Sequence, residues 1–86
     1  MKHFASSKFW DLYDRLPAEV RALAEKNFAL LKENPKHPSL HFKKIEGSNV
    51  WSVRIGLQYR AVATEADGDM RWHWIGKHND YNHKLS

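Results

Sequence analysis

The chain has 86 residues, no cysteine and a formal charge of +4 with six further histidines. That length suits one compact domain over residues 1–86, and the missing cysteines exclude both disulfides and a thiolate zinc site. No stretch has the roughly 20 apolar residues of a membrane span or the apolar run of a secretory signal, so a cytoplasmic protein with an anionic partner, nucleic acid or an acidic protein segment, is expected.

In chain order, residues 2–5 read as a short edge strand. Phe9, Leu12 or Tyr13, Leu16, Val20, Leu23 or Ala24, Phe28 and Leu31 then recur at three- and four-residue steps, which predicts one apolar stripe along two helices. Ser6 or Ser7 can cap the first helix. Pro17 suits the opening turn of the second, where its missing N–H is not needed, so a break falls near Leu16. The second helix is expected to end at about Glu33, because Pro35 and Pro38 forbid continuation and Asn34 can adopt a left-handed cap. Phe9, Trp10 and Tyr13 lie close to the stripe and read as helix-to-sheet packing rather than a base-stacking platform. Asp11, Asp14, Glu19, Glu25 and Glu33 read as solvated helix faces rather than a carboxylate pair.

The second half alternates like a sheet. Strands are expected over 40–45, 50–55, 59–65 and 70–75, joined by turns at 46–49, Gly56-Leu57-Gln58 and 66–69. Counting along these strands places Val53 opposite Ala61, Trp51 opposite Ala63, and the two alanines opposite Trp72 and Trp74, so small side chains meet large ones on the core face. On the other face Arg54 falls opposite Arg60, Ser52 and His73 beside Val62, and Thr64 opposite Arg71. The fold class is therefore α+β, an N-terminal helical hairpin packed on a C-terminal antiparallel β-sheet.

The second face gathers His41, Lys43, Ser52, Arg54, Arg60, Thr64, Arg71 and His73. A polar outer face is ordinary for an antiparallel sheet, but its central strands contribute no acid to balance these cations. Such a surface suits a phosphate backbone, with His41, Lys43, Arg71, His73 and Lys77 as binding groups. Two arginines directly across a ladder repel unless an anion lies between them, and their guanidinium forks can grip phosphate oxygens and stabilise charge that grows during phosphoryl transfer. After the last strand, His78 can take or give a proton near neutral pH, and the Tyr81 phenol can orient it. Cleavage of RNA by its own 2′-hydroxyl needs a base, an acid and a cation but no metal or other cofactor. His37 and His41 straddle Pro38, and His78 and His83 are five apart, so neither pair has the helical spacing of metal ligands.

Taken in order, the helical hairpin, Leu40-His41-Phe42-Lys43-Lys44-Ile45-Glu46-Gly47, Trp51-Ser52-Val53-Arg54-Ile55-Gly56, Gln58-Tyr59-Arg60-Ala61-Val62 and Trp74-Ile75-Gly76-Lys77-His78 with Tyr81 resemble the RelE/ParE superfamily of bacterial type II toxins, over roughly residues 8–84. The resemblance implies that Arg60 matches the arginine that RelE-like nucleases use near the scissile phosphate, and that Arg54 falls near a basic strand position. It implies further that His78 matches a catalytic histidine or basic residue and that Tyr81 stands for the C-terminal aromatic. Ser52 stands where RelE-like chains often carry lysine, with Lys43 on the neighbouring strand. The implied function is a toxin that cleaves mRNA on the ribosome, held in check by a cognate antitoxin. Other members of the superfamily poison DNA gyrase without catalysis, and an inactive relative would only bind an antitoxin.

Overall fold

The computed structural model describes residues 2–77. The chain opens with strand β1 (His3–Ala5), after which the Ser6 hydroxyl accepts the Phe9 N–H at 3.1 Å and caps helix α1 (Ser7–Asp14). Leu16 is buried, and Pro17 stands immediately before helix α2 (Ala18–Glu33) rather than inside its first turn. Arg21 closes the corner, its Nη1 donating to the carbonyls of Asp14 and Leu16 at 3.3 Å each. The second helix ends at Glu33 as expected, yet Asn34 is extended (φ −147°) rather than left-handed. The Pro35 ring crowds the residue before it and drives it out of helical space.

A 3₁₀ turn (Pro38–Leu40) follows, then β2 (Lys43–Lys44), β3 (Val50–Ile55), β4 (Tyr59–Ala66) and β5 (Asp69–Lys77). The strand expected over 40–45 is thus reduced to two residues. Pro38 starts a 3₁₀ turn that buries Leu40 completely, and His41 reverses the chain in the left-handed region (φ 45°). The sheet order is β1-β5-β4-β3-β2. All neighbours run antiparallel except β1 and β5, which are parallel, so the sheet is mixed rather than antiparallel throughout.

The register of β3 on β4 is the counted one: Trp51 faces Ala63, Val53 faces Ala61, and Arg54 faces Arg60. On β5 the count holds from Met70 to Trp72, with Ala63 opposite Trp72 and Thr64 opposite Arg71. A bulge between Val62 and Ala63 then shifts the pairing, so Ala61 meets Ile75 and Val62 meets Trp74. An extra residue in one strand exchanges the faces beyond it, and alternation in the sequence does not register the insertion. Ile75 therefore joins the core. Trp74, expected there, belongs with Val62 and Ser52 in a row across the opposite face, the three being 8%, 1% and 4% exposed.

The core lies between the helices and the other face of the sheet. Ala63 takes an indole on each side, from Trp51 and Trp72, and Trp72 meets Phe28 of α2 edge-on with centroids 5.0 Å apart. Phe42 stacks on Trp51 at 4.6 Å. Gly56 begins the β3–β4 turn with φ 65°, and a Cβ there would lie 2.8 Å from Leu23 Cδ2, so both the turn and its approach to α2 require glycine. Among the described residues no helix is long and apolar enough to cross a membrane.

β1 is fastened by a polar contact inside this aromatic layer. Trp72 Nε1 donates to His3 Nδ1 at 3.0 Å, and the imidazole lies against the indole with centroids 6.1 Å apart. Burial, assisted by Lys32 and the N-terminal amine, lowers the His3 pKa from its ordinary 6.5 against an opposing pull from Asp69. A histidine with a lowered folded-state pKa contributes its full stability above the unfolded value and loses it as the pH falls through the window below. The melting temperature is expected to drop as the pH falls below the ordinary histidine value of 6.5, and His3→Gln to shrink that drop. Parallel pH titrations of thermal unfolding for the two proteins check it.

Candidate functional site

Because β2 is only two residues long, the outer edge of β3 at Arg54 is left to other elements. Asn27 of α2 donates its Nδ2–H to the Arg54 carbonyl at 3.0 Å. That carbonyl therefore points away from β4, which makes Arg54 and Arg60 a non-hydrogen-bonded pair, the type whose Cα atoms lie only about 4.5 Å apart. Their neighbours in sequence, Val53, Ile55 and Ala61, are core residues, so both arginines project from the opposite face. Two guanidinium-bearing chains thus rise side by side from the narrowest kind of cross-strand site.

The Arg54 side chain is held in place. Its Nε–H donates to the Gly56 carbonyl at 3.1 Å, and its Nη1 lies 3.1 Å from His41 Nε2. Guanidinium can only donate, so His41 Nε2 is the acceptor in this contact. The left-handed turn at His41, absent from the expected strand, is what delivers this exposed ring to the end of β3. Beside them α2 and the 3₁₀ turn enclose a cleft of about 520 Å³, lined among others by Lys26, Asn27, His37, Ser39 and Arg54.

Three further cationic or titratable groups spread across the same face. Lys43 is exposed on β2, in the row that continues through Ser52 and Val62 to Trp74. Arg71 pairs with Thr64, whose hydroxyl lies 3.1 Å from His73 Nε2, so the bulge exchanges the expected His73–Val62 neighbourhood for a polar contact one step along. Lys77, expected on this face, is exposed at the end of β5 opposite Tyr59, whose row with Ile55 belongs to the helix-covered face, because the bulge exchanges the faces beyond it. Gly76 lies opposite Arg60, and a Cβ on it would come within 2.8 Å of the Trp74 ring. The indole therefore occupies the space a side chain at 76 would need, close beside the Arg60 position. Among the described residues, the positions that β3 and β4 contribute to this face (Val50, Ser52, Arg54, Arg60, Val62, Thr64 and Ala66) include no acid. Asp69 opens β5 one residue earlier than expected and accepts the Lys2 N–H at 3.0 Å. His78 and Tyr81 lie outside the described residues.

The structure therefore unites Arg54, Arg60 and His41 at one end of the face, sets Lys43, Arg71 and His73 across it, and leaves Lys77 on the other side of the sheet. Sequence reasoning missed the tryptophan beside them, because a bulge has no signature in apolar alternation. It also passed over Phe4, which has a position on this face although a three-residue strand offers too few alternations to assign.

A family model described as the ParE-like toxin domain matches residues 18–83. No curated protein matches the chain in sequence. The fold is similar to a chain in the RelB–RelE antitoxin–toxin complex from Methanococcus jannaschii, with a TM-score of 0.75 at 14% identity, covering 96% of this chain and 99% of that one. It is also similar to the YoeB/ParE toxin from Agrobacterium tumefaciens, with a TM-score of 0.70 at 21% identity over 91% of this chain and 99% of the other. A chain of the intact RelBE toxin–antitoxin complex of E. coli gives 0.66 at 18% identity, over 88% of this chain and 94% of that one.

An anion received between two repelling guanidinium groups stabilises the folded state that holds them together. Millimolar inorganic phosphate is expected to raise the melting temperature of the wild type, by an increment equivalent to about 1.4 kcal/mol at ten times its dissociation constant, and Arg60→Gln to remove most of that increment. Thermal melts over a phosphate series at constant ionic strength check it.

Proposed function

Since the chain belongs to the ParE-like toxin domain family, we propose that it is the toxin of a toxin–antitoxin pair and acts as a metal-independent endoribonuclease on ribosome-associated mRNA. The observation that supports this most is the Arg54/Arg60 pair, side by side on an acid-free stretch of sheet with the His41 imidazole in hydrogen-bond contact. Attack of a 2′-hydroxyl on the adjacent phosphate gathers negative charge on the phosphoryl oxygens as the new bond forms and the 5′-oxygen leaves. Fixed guanidinium groups stabilise that charge more than they stabilise the starting diester, and the difference lowers the barrier.

The reaction also moves two protons, one off the attacking hydroxyl and one onto the departing oxygen. His78 is assigned one transfer and Tyr81 the orientation of His78, both by resemblance, since they lie outside the described residues. Lys43, Arg71 and His73 are assigned to the flanking phosphates, where they add affinity without base preference. The partner in this reading is a cognate antitoxin with an acidic arm that covers the cationic face and so competes with RNA for the same charges.

Induction of the wild type is expected to arrest growth and to give primer-extension stops within translated mRNA. Arg60→Ala and His78→Ala are each expected to lower cleavage at least about 100-fold, the scale of a lost transition-state contact or acid–base group. Undiminished cleavage in both variants would remove these residues from the mechanism. Growth arrest without mRNA stops, together with inhibited gyrase supercoiling by the purified protein, would replace the nuclease with the non-catalytic gyrase inhibitor. Neither effect would leave an inactive relative that only binds its antitoxin.

A further inference from the structure

Phe4 is 47% exposed, which is unusual for a phenylalanine in a sheet. His3 and Ala5 on either side of it face the core, so Phe4 projects from the cationic face, where it pairs in register with Arg71. The Arg71 guanidinium lies over its ring, 5.6 Å from the centroid. A cation above one part of an aromatic face orients the ring and supplies charge for a neighbouring phosphate. Thr64 on the next strand and His73 two residues along Arg71's own strand, joined at 3.1 Å, border Arg71. The local arrangement is an exposed aromatic, a stacked guanidinium and a hydroxyl–imidazole pair on one sheet surface. These are the elements with which proteins hold unpaired bases.

Its position fits as well. Phe4 lies two strands from β4, and Thr64, level with it, lies four residues from Arg60. With strands about 4.8 Å apart and about 3.3 Å of rise per residue, the two sites are roughly 16 Å apart, a distance that a few nucleotides of single strand cover. The acid nearest in register, Asp69, already accepts the Lys2 N–H.

We infer that Phe4 and Arg71 form a nucleobase-stacking subsite that holds single-stranded RNA a few nucleotides from the Arg54/Arg60 pair. The inference rests on the nuclease reading and names where its substrate lies. The subsite accepts any base, because every base has a face to stack, and the cation beside it takes the phosphate. A double-stranded substrate would not use it, since paired bases keep their faces covered.

The test measures binding of a fluorescently labelled, uncleavable 2′-O-methyl oligoadenylate to the purified protein. Phe4→Ala is expected to weaken binding about 5- to 100-fold, the range for one stacked base, while Phe4→Trp binds as well as wild type. An oligomer carrying abasic sites removes the ring's partner, and wild type and Phe4→Ala should bind that oligomer alike. Circular dichroism confirms that the variants fold, and Arg71→Ala, which leaves the ring in place, gives a second route to a loss of binding. If Phe4→Ala and Arg71→Ala both bind like wild type while Arg60→Ala does not, the subsite is overturned and the nuclease reading stands. If wild type fails to bind the oligomer at all, both fall. Unchanged RNA binding with a weakened antitoxin complex would also overturn the subsite, and would assign Phe4 to the protein partner.

Discussion

The register of β4 is the constraint on which the rest depends. This strand pairs on both sides, and its small side chains, Ala61 and Ala63, are the positions that admit Val53, Ile75, Trp51 and Trp72 to one layer. A slip by one residue against β3 would present Arg60 and Thr64 to that layer and turn the alanines to the open face. Burying a guanidinium among indoles without a partner is costly enough to exclude the alternative. The packing that fixes the core therefore also brings Arg54 and Arg60 together.

Much of this was legible in the sequence, and the parts that were not share a cause. The helix stripe, the Ser6 cap, the end at Glu33 and the pairing of residues 50–55 with 59–65 follow from side-chain size, period and proline, which act locally. The bulge beyond Trp72 is a different matter: one strand takes an extra residue relative to its neighbour, and the sequence of either strand alone is silent about it. Trp74 was therefore expected in the core, when it is Ile75 that lies there. The parallel attachment of β1 rests on contacts across most of the chain, Trp72 with His3 above all, which no local pattern encodes. The short β2 reflects Pro38 and the left-handed His41, a backbone state that His adopts less often than Asn or Gly and that alternation conceals.

At the candidate site, the grouping of cations was readable from the register, but the means of holding them was not. Arg54 is tied by the Gly56 carbonyl and by His41, so its fork is set before any substrate arrives. Such preorganisation is the feature that separates a site from a merely basic surface. The open face is likewise not uniformly polar. Ser52, Val62 and Trp74 make a buried row between the arginine pair at one end and Arg71 at the other, so the cations stand at its two ends.

The account's central claim is that Arg54 and Arg60 act as one anion-holding unit. A double-mutant cycle on the affinity for an uncleavable RNA tests it most directly, comparing wild type, Arg54→Ala, Arg60→Ala and the double variant at fixed salt. A shared phosphate predicts strong coupling: once either arginine is gone, removing the second costs little more. Losses that simply add would show two independent charges on a basic surface, and would contradict the account.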